Sequence, residues 1–169
     1  MGVDAVDVRR PAQVDDVDAL IIPGGESTTI GKLAAQYGLI PKIRERSQAG
    51  MPVWGTCAGA IFIAKDVPRH PHPLAELMDI QVERNAFGRQ IDSFEEDLDI
   101  PSIGDQPFHA VFIRAPLIAR VGPGVEVLAR LADGTVVAAQ QGRLLATSFH
   151  PELTGDARLH EHFLSLVGS

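Results

Sequence analysis

The segment Val53-Trp54-Gly55-Thr56-Cys57-Ala58-Gly59 determines how this chain is expected to fold. Val53–Thr56 has the apolar character of a short buried strand, and residues 58–65 follow as a helix. A strand that passes into a helix at one residue, with glycines two positions before and after it, has the layout of a nucleophile elbow. Cys57 occupies that turn, and it is the only cysteine in the chain.

A second motif, His150-Pro151-Glu152, directly follows an apolar strand predicted over residues 144–148. Side chains two positions apart on an extended segment face the same side, so the imidazole and the carboxylate can meet. A lone cysteine, a distant histidine and a nearby acid are the groups used in thiolate catalysis. We predict Cys57 as nucleophile, His150 as general base and Glu152 as the acid that orients it, in an enzyme that hydrolyses an amide. Two alternatives are a cysteine buried in the core and a surface histidine beside a surface glutamate.

Acylation of a cysteine also requires donors for the oxyanion. The N–H of Ala58, the residue after the nucleophile, is one predicted donor. The loop Pro23-Gly24-Gly25-Glu26-Ser27 follows another predicted strand and contains glycines that permit close backbone approach. We predict the N–H of Gly25 as the second donor.

Composition excludes several classes of protein. The chain has 169 residues, 45% of them hydrophobic and 22% charged, as expected of a single globular domain over residues 1–169. A net charge of −7 argues against a nucleic-acid or anionic membrane surface. One cysteine and no apparent signal segment favour the cytoplasm. The segment His70-Pro71-His72 has no matched carboxylate or thiol, so no metal site is predicted.

Apolar runs alternate with helical patterns, which favours an α/β sheet covered on both faces. Further strands are predicted over residues 3–8, 19–22, 111–113, 125–131 and 136–139. Further helices are predicted over residues 27–38 and 41–48, and near the C-terminus around Leu159, Phe163, Leu164 and Val167. Residues 69–107 are read as irregular, with Glu95-Glu96-Asp97 as a solvated acidic turn.

The motifs together resemble those of triad-type glutamine amidotransferases, and more narrowly the family of glutaminase subunits of pyridoxal 5′-phosphate synthase. Five segments carry the resemblance, in this order along the chain: Pro23-Gly24-Gly25-Glu26-Ser27-Thr28-Thr29, Gly55-Thr56-Cys57-Ala58-Gly59, Arg84-Asn85-Ala86-Phe87-Gly88-Arg89-Gln90, Phe112-Ile113-Arg114-Ala115-Pro116 and Ser148-Phe149-His150-Pro151-Glu152-Leu153.

The resemblance implies a flavodoxin-like three-layer sandwich with a mixed, mainly parallel sheet. It implies hydrolysis of L-glutamine to L-glutamate and ammonia by a Cys57, His150 and Glu152 triad, without a cofactor. The ammonia would pass to a barrel-shaped synthase subunit that makes pyridoxal 5′-phosphate. The glutamine-binding residues that the resemblance implies are Gly25, Glu26, Ser27, Arg84, Ile113 and Arg114.

One departure from the family pattern leaves alternatives open. Relatives usually begin with another strand and helix that include a Leu-Gln-Gly segment, and this sequence apparently lacks them. An alternative is therefore a catalytically impaired subunit that only docks to the synthase. A second alternative is another cysteine-dependent hydrolase, or a glutaminase that serves a different synthase.

Overall fold

The computed structural model describes residues 1–84 and 93–168. The described helices are α1 (Pro11–Asp15), α2 (Ser27–Gln36), α3 (Leu39–Gln48), α4 (Ala58–Ile63) and α5 (Arg158–Ser165). The described strands are β1 (Leu20–Ile22), β2 (Val53–Thr56), β3 (Ala64–Asp66), β4 (Met78–Glu83), β5 (Ser93–Leu98), β6 (Phe108–Ile113), β7 (Leu117–Val121), β8 (Glu126–Arg130), β9 (Val136–Gln141) and β10 (Leu144–Thr147). Within these ranges no helix has the length and apolar character needed to cross a membrane.

Three parallel strands place the two sequence motifs side by side. The main sheet has the order β1-β2-β10-β9-β7-β4-β3, with β8 beside β9, and β5 and β6 form a separate hairpin. Both β1 and β10 run parallel to β2, and Gly55 lies opposite Ile22 on one side and Ala146 on the other. Since parallel strands in register end at the same edge of a sheet, the residues that follow β1, β2 and β10 converge there.

Apolar layers cover both faces of the main sheet. Val53 packs in the layer that includes Ile43 of α3. Trp54 packs in the opposite layer with Phe112 of β6 and Phe163 of α5. Successive side chains of a strand point to opposite faces, so β2 contributes to both layers, and all four of its residues are buried. The prediction of a flavodoxin-like α/β fold with a mixed sheet is confirmed.

Most predicted elements are present, with changed ends. The helix predicted from Pro41 begins at Leu39, after Gly38 adopts a left-handed conformation with φ of 70°. The helix predicted to reach residue 65 ends at Ile63, because Ala64 is extended (φ −68°, ψ 143°) and begins β3. Strand β3 then pairs in parallel with β4.

The prediction of an irregular middle segment is wrong for the part that the structure describes. Met78–Glu83 forms β4, and buried residues alternate with partly exposed ones along it. Ser93–Leu98 forms β5, so the acidic residues expected in a turn lie on a strand paired with β6. The acids occupy one face while Phe94 and Leu98 on the other face pack with the layer around Phe112, and this packing favours a strand despite the charge.

The strand predicted over residues 3–8 is also wrong. These residues form no described strand, and Val3 and Val6 are 54% and 66% exposed. A strand requires a neighbour for its backbone hydrogen bonds and a surface to cover its apolar face. The described sheet ends at β1, whose described partner is β2, so residues 3–8 have neither. Helix α1 follows them and was not predicted.

Candidate active site

Cys57 lies at the turn between β2 and α4 in a conformation that L-residues rarely adopt. Its φ is 50° and its ψ is −109°. A Cβ on Gly55 would lie 2.4 Å from the carbonyl oxygen of Gly59, and a Cβ on Gly59 would lie 1.9 Å from the carbonyl oxygen of Ile22. Backbone atoms cannot yield to such overlaps without distorting the sheet, so the turn depends on glycine at both positions.

Neighbouring strands fix the position of Cys57. Its N–H donates to the carbonyl oxygen of Thr147, at the end of β10, over 2.8 Å. Its Sγ lies 3.9 Å from the carbonyl oxygen of Ile113, at the end of β6. The residue is 7% exposed. The sulfur therefore faces polar atoms at the edge of the sheet, although the residue is buried by area. The two backbone carbonyls carry no signal in the sequence.

His150 follows β10 and is fixed at both its backbone and its ring. Its N–H donates to the carbonyl oxygen of Val111 over 2.9 Å, and its Nδ1 lies 2.7 Å from Oε1 of Glu152. The segment between them is not extended as predicted, because Pro151–Leu153 forms a turn of 3₁₀ helix. Only His150 itself is near the extended region (φ −106°, ψ 87°), and the Glu152 side chain reaches back to its ring.

The electrostatics of the His150 ring favour the imidazolium. Hydrogen bonding to the Cys57 side chain, followed by hydrogen bonding to Glu152, raises the pKa of His150 to about 9, although burial opposes the shift. Since Nδ1 is bonded to Glu152, Nε2 is the nitrogen left for the sulfur. A protonated imidazole beside a cysteine stabilises the thiolate, which is the reactive form of the nucleophile.

The loop after β1 packs directly against this ring. A Cβ on Gly24 would lie 2.5 Å from Cε1 of His150, so a side chain at that position would displace the imidazole. Gly25 has a φ of 136°, which is open essentially to glycine alone. The sequence identified the loop through Gly25, whereas the contact with His150 is made at Gly24. A pair of adjacent glycines does not reveal which of them faces a partner.

Glu26 connects the same loop to α2 and to the end of β4. Its carboxylate caps α2 by accepting from the N–H groups of Thr28 and Thr29, at 3.2 and 2.9 Å. These bonds, led by the Thr29 backbone bond, lower the pKa of Glu26. Nη2 of Arg84 lies 3.4 Å from Oε1 of Glu26. Arg84 and Glu26 are therefore joined, as two of the predicted glutamine-binding residues.

The remaining predicted residues differ in their surroundings. Ser27 is buried, and its hydroxyl has no hydrogen-bond partner among the described residues. Ile113 presents its carbonyl oxygen to the Cys57 sulfur, while its side chain is 38% exposed. Arg114 is exposed at a φ of 42°, and makes no ion pair within the described ranges. The segment 85–90 of the third motif lies outside the described residues.

Comparison with known proteins gives a consistent family. The model of the SNO glutamine amidotransferase family matches residues 1–169. A pyridoxal 5′-phosphate synthase subunit PdxT of Herpetosiphon aurantiacus is 59% identical over 169 residues, which is 98% of this chain and 89% of that protein. The subunit of the same name from Moorella thermoacetica is 51% identical over 168 residues, covering 99% of this chain and 89% of its own.

Solved structures show the same fold. A crystal structure described as a glutamine amidotransferase superposes with a TM-score of 0.94 at 53% identity, over 99% of this chain and 88% of that one. PurLQS from Thermotoga maritima superposes with a TM-score of 0.65 at 14% identity, over 89% of this chain and 80% of that one. The second similarity concerns the fold alone.

Proposed function

The chain belongs to the SNO glutamine amidotransferase family, and from this premise we propose that Cys57, His150 and Glu152 hydrolyse the side-chain amide of L-glutamine. Membership of this family and the high identity to PdxT subunits make the chain a glutaminase that supplies ammonia for vitamin B6 synthesis. The contact of the Cys57 side chain with the His150 ring is the observation that carries the assignment of residues.

The proposed reaction begins with the thiolate–imidazolium pair. The Cys57 sulfur attacks the carboxamide carbon, and the N–H groups of Gly25 and Ala58 receive the oxyanion. His150 donates its proton to the leaving nitrogen, the C–N bond breaks, and ammonia departs from a thioester. Neutral His150 then takes a proton from water, the hydroxide attacks the thioester carbon, and glutamate leaves as the thiolate returns. Glu152 stabilises the imidazolium each time it forms.

The proposed substrate contacts follow from the charges of glutamine. Its α-carboxylate requires a cation, for which Arg84 and Arg114 are the candidates, and its α-ammonium requires acceptors such as Glu26 or a backbone carbonyl. The buried hydroxyl of Ser27, which lacks a described partner, and Ile113 complete the proposed site. We further propose that the ammonia passes to a barrel-shaped synthase subunit, in the cytoplasm.

A glutaminase assay of the Cys57→Ser variant tests the assignment. Both the variant and the wild type are assayed with the synthase subunit present, by release of glutamate. We expect turnover to fall by about 10⁴-fold or more, because a serine hydroxyl beside this imidazole is a much weaker nucleophile than a thiolate.

The matched control is His162→Asn. His162 bonds to Gln140 over 2.7 Å and contacts neither Cys57 nor Glu152, so its replacement is expected to leave turnover within about twofold. Turnover that survives in Cys57→Ser would overturn the assignment of the nucleophile. Wild-type activity that is indifferent to the synthase subunit would overturn the proposed partner.

A further inference from the structure

Arg84 lies between two partners, and only one of them belongs to the proposed glutamine site. Its Nη2 is 3.4 Å from Oε1 of Glu26, and its Nη1 is 3.5 Å from Nδ1 of His70. Both contacts are longer than an ordinary hydrogen bond. A guanidinium held loosely from two sides keeps its direction, yet it retains donors for a carboxylate that arrives later.

The contact with Arg84 determines which nitrogen of His70 carries the proton. A guanidinium donates and cannot accept, so Nδ1 of His70 must be the acceptor and Nε2 must carry the hydrogen. Burial, followed by the charge of Arg84, lowers the pKa of His70, and His72 acts in the same direction while Glu26 opposes it. The neutral ring that this favours is the form able to accept from Arg84.

The loop that carries His70 is packed tightly against α2. A Cβ on Gly31 would lie 2.3 Å from the carbonyl oxygen of Pro73. The rings of His70 and His72 are in edge contact, with centroids 5.6 Å apart. Nε2 of His70 is buried without a hydrogen-bond partner among the described residues. A buried unpaired donor costs free energy and calls for an explanation, which the contact on the other side of the ring provides.

We propose that His70 is a positioning residue for glutamine: it orients the Arg84 guanidinium toward Glu26, where the α-carboxylate of the substrate is to bind. The inference rests on the proposed function, and it concerns a residue outside the five motifs of the resemblance. Because the α-carboxylate is remote from the amide that reacts, the loss of this orientation weakens substrate binding in the ground state and transition state alike. Such a loss raises KM and leaves kcat unchanged.

The test compares His70→Phe with His70→Asn in the complex with the synthase subunit. Phenylalanine keeps the ring and removes the acceptor, whereas the asparagine Oδ1 occupies about the place of the Nδ1 acceptor. We expect KM for glutamine to rise about tenfold in His70→Phe, as for the loss of one charge-assisted hydrogen bond. In His70→Asn we expect KM within about twofold of wild type, with kcat unchanged in both variants.

His72→Leu is the matched control, because it alters the same loop without removing a bond to Arg84. A wild-type KM in His70→Phe, a KM in His70→Asn as high as in His70→Phe, or a fall in kcat alone would overturn the inference. If His70→Phe does not fold, His70→Leu takes its place with the same expectation. The alkylation rate of Cys57 by iodoacetamide stays at the wild-type value if the effect is on substrate binding alone. Failure of the proposed function is distinguishable, since it would appear as wild-type turnover that is absent or survives in Cys57→Ser.

Discussion

Cys57 shows how much of the site is imposed on a residue by its neighbours. Its φ of 50° is unfavourable for an L-residue, and such strain persists only where the surroundings overdetermine the conformation. Here the N–H is bonded to the end of β10, and the residues on either side are in β2 and α4. The strained turn aims the sulfur at the edge of the sheet, where the His150 ring meets it.

Glu152 determines the charge of the ring at the same scale, and its replacement provides a prediction. In Glu152→Gln the carboxylate that stabilises the imidazolium over 2.7 Å is lost, so the pKa of His150 falls below its value of about 9. The alkaline limb of kcat/KM for glutamine then moves to lower pH, since the ring loses its proton sooner as pH rises. We also expect kcat/KM to fall by about 10²- to 10⁴-fold.

The measurement is the pH dependence of kcat/KM between pH 6 and 10, which reports the groups of the free enzyme. Glu161→Gln is the matched control, because Glu161 is an exposed glutamate of α5. An alkaline limb that stays in place in Glu152→Gln would show that Glu152 does not stabilise the imidazolium.

At the scale of elements, the site depends on how closely α4 approaches β1. The absence of a side chain at Gly59 allows this approach, because a Cβ there would lie 1.9 Å from the carbonyl oxygen of Ile22. Gly59→Ala forces the helix away from the strand, and we expect a loss of about 3 kcal/mol of folding free energy. For a chain of this size that lowers Tm by about 6–12 °C.

Thermal unfolding followed by circular dichroism measures this change. Gly155→Ala is the matched control, since a Cβ there would meet nothing within 4 Å. Equal Tm values for the two variants would contradict the close approach of α4 to β1.

The elements also show where sequence reasoning succeeds and where it stops. The turn at Cys57 was predictable because its glycines and the change of period from strand to helix are local signals. Residues 3–8 carry a similar local pattern and form no strand, since pairing depends on a neighbour that the pattern does not specify. The acids of β5 were misread for the converse reason. Glu95 and Asp97 bond the two nitrogens of His109 across the hairpin, at 2.9 and 2.7 Å.

The candidate site divides in the same way. The nucleophile, the imidazole and the acid could be predicted because their residue types are few and carry the chemistry. The contact of Gly24 with the imidazole could not, because a steric contact of a glycine has no residue type of its own. His70 was set aside as a metal ligand from its sequence, and its contact with Arg84 becomes visible only when β4 and the loop after β3 are placed together.

At the scale of the whole molecule, the site joins segments that are far apart in sequence. Strand β10 pairs with β2, although more than eighty residues separate them. Beneath the site, the buried Trp54 of β2 donates from its indole N–H to Oγ1 of Thr147 over 3.1 Å. The same ring lies 5.5 Å from the ring of Phe163 on α5. The two strands that carry the motifs are thus held together by an apolar layer that α5 completes.

Phe163→Ala tests whether that layer supports the fold rather than the chemistry. Phe163 is 2% exposed, and its truncation leaves a cavity against Trp54 that costs about 3–5 kcal/mol. We expect Tm to fall by about 6–20 °C. At 20 °C we expect kcat to remain within about threefold of wild type, because the residue touches neither the sulfur nor the imidazole. Glu161→Ala on the exposed face of α5 is expected to change stability by about 0.5 kcal/mol at most. A large loss of kcat at unchanged Tm would instead mean that α5 acts on the reaction itself.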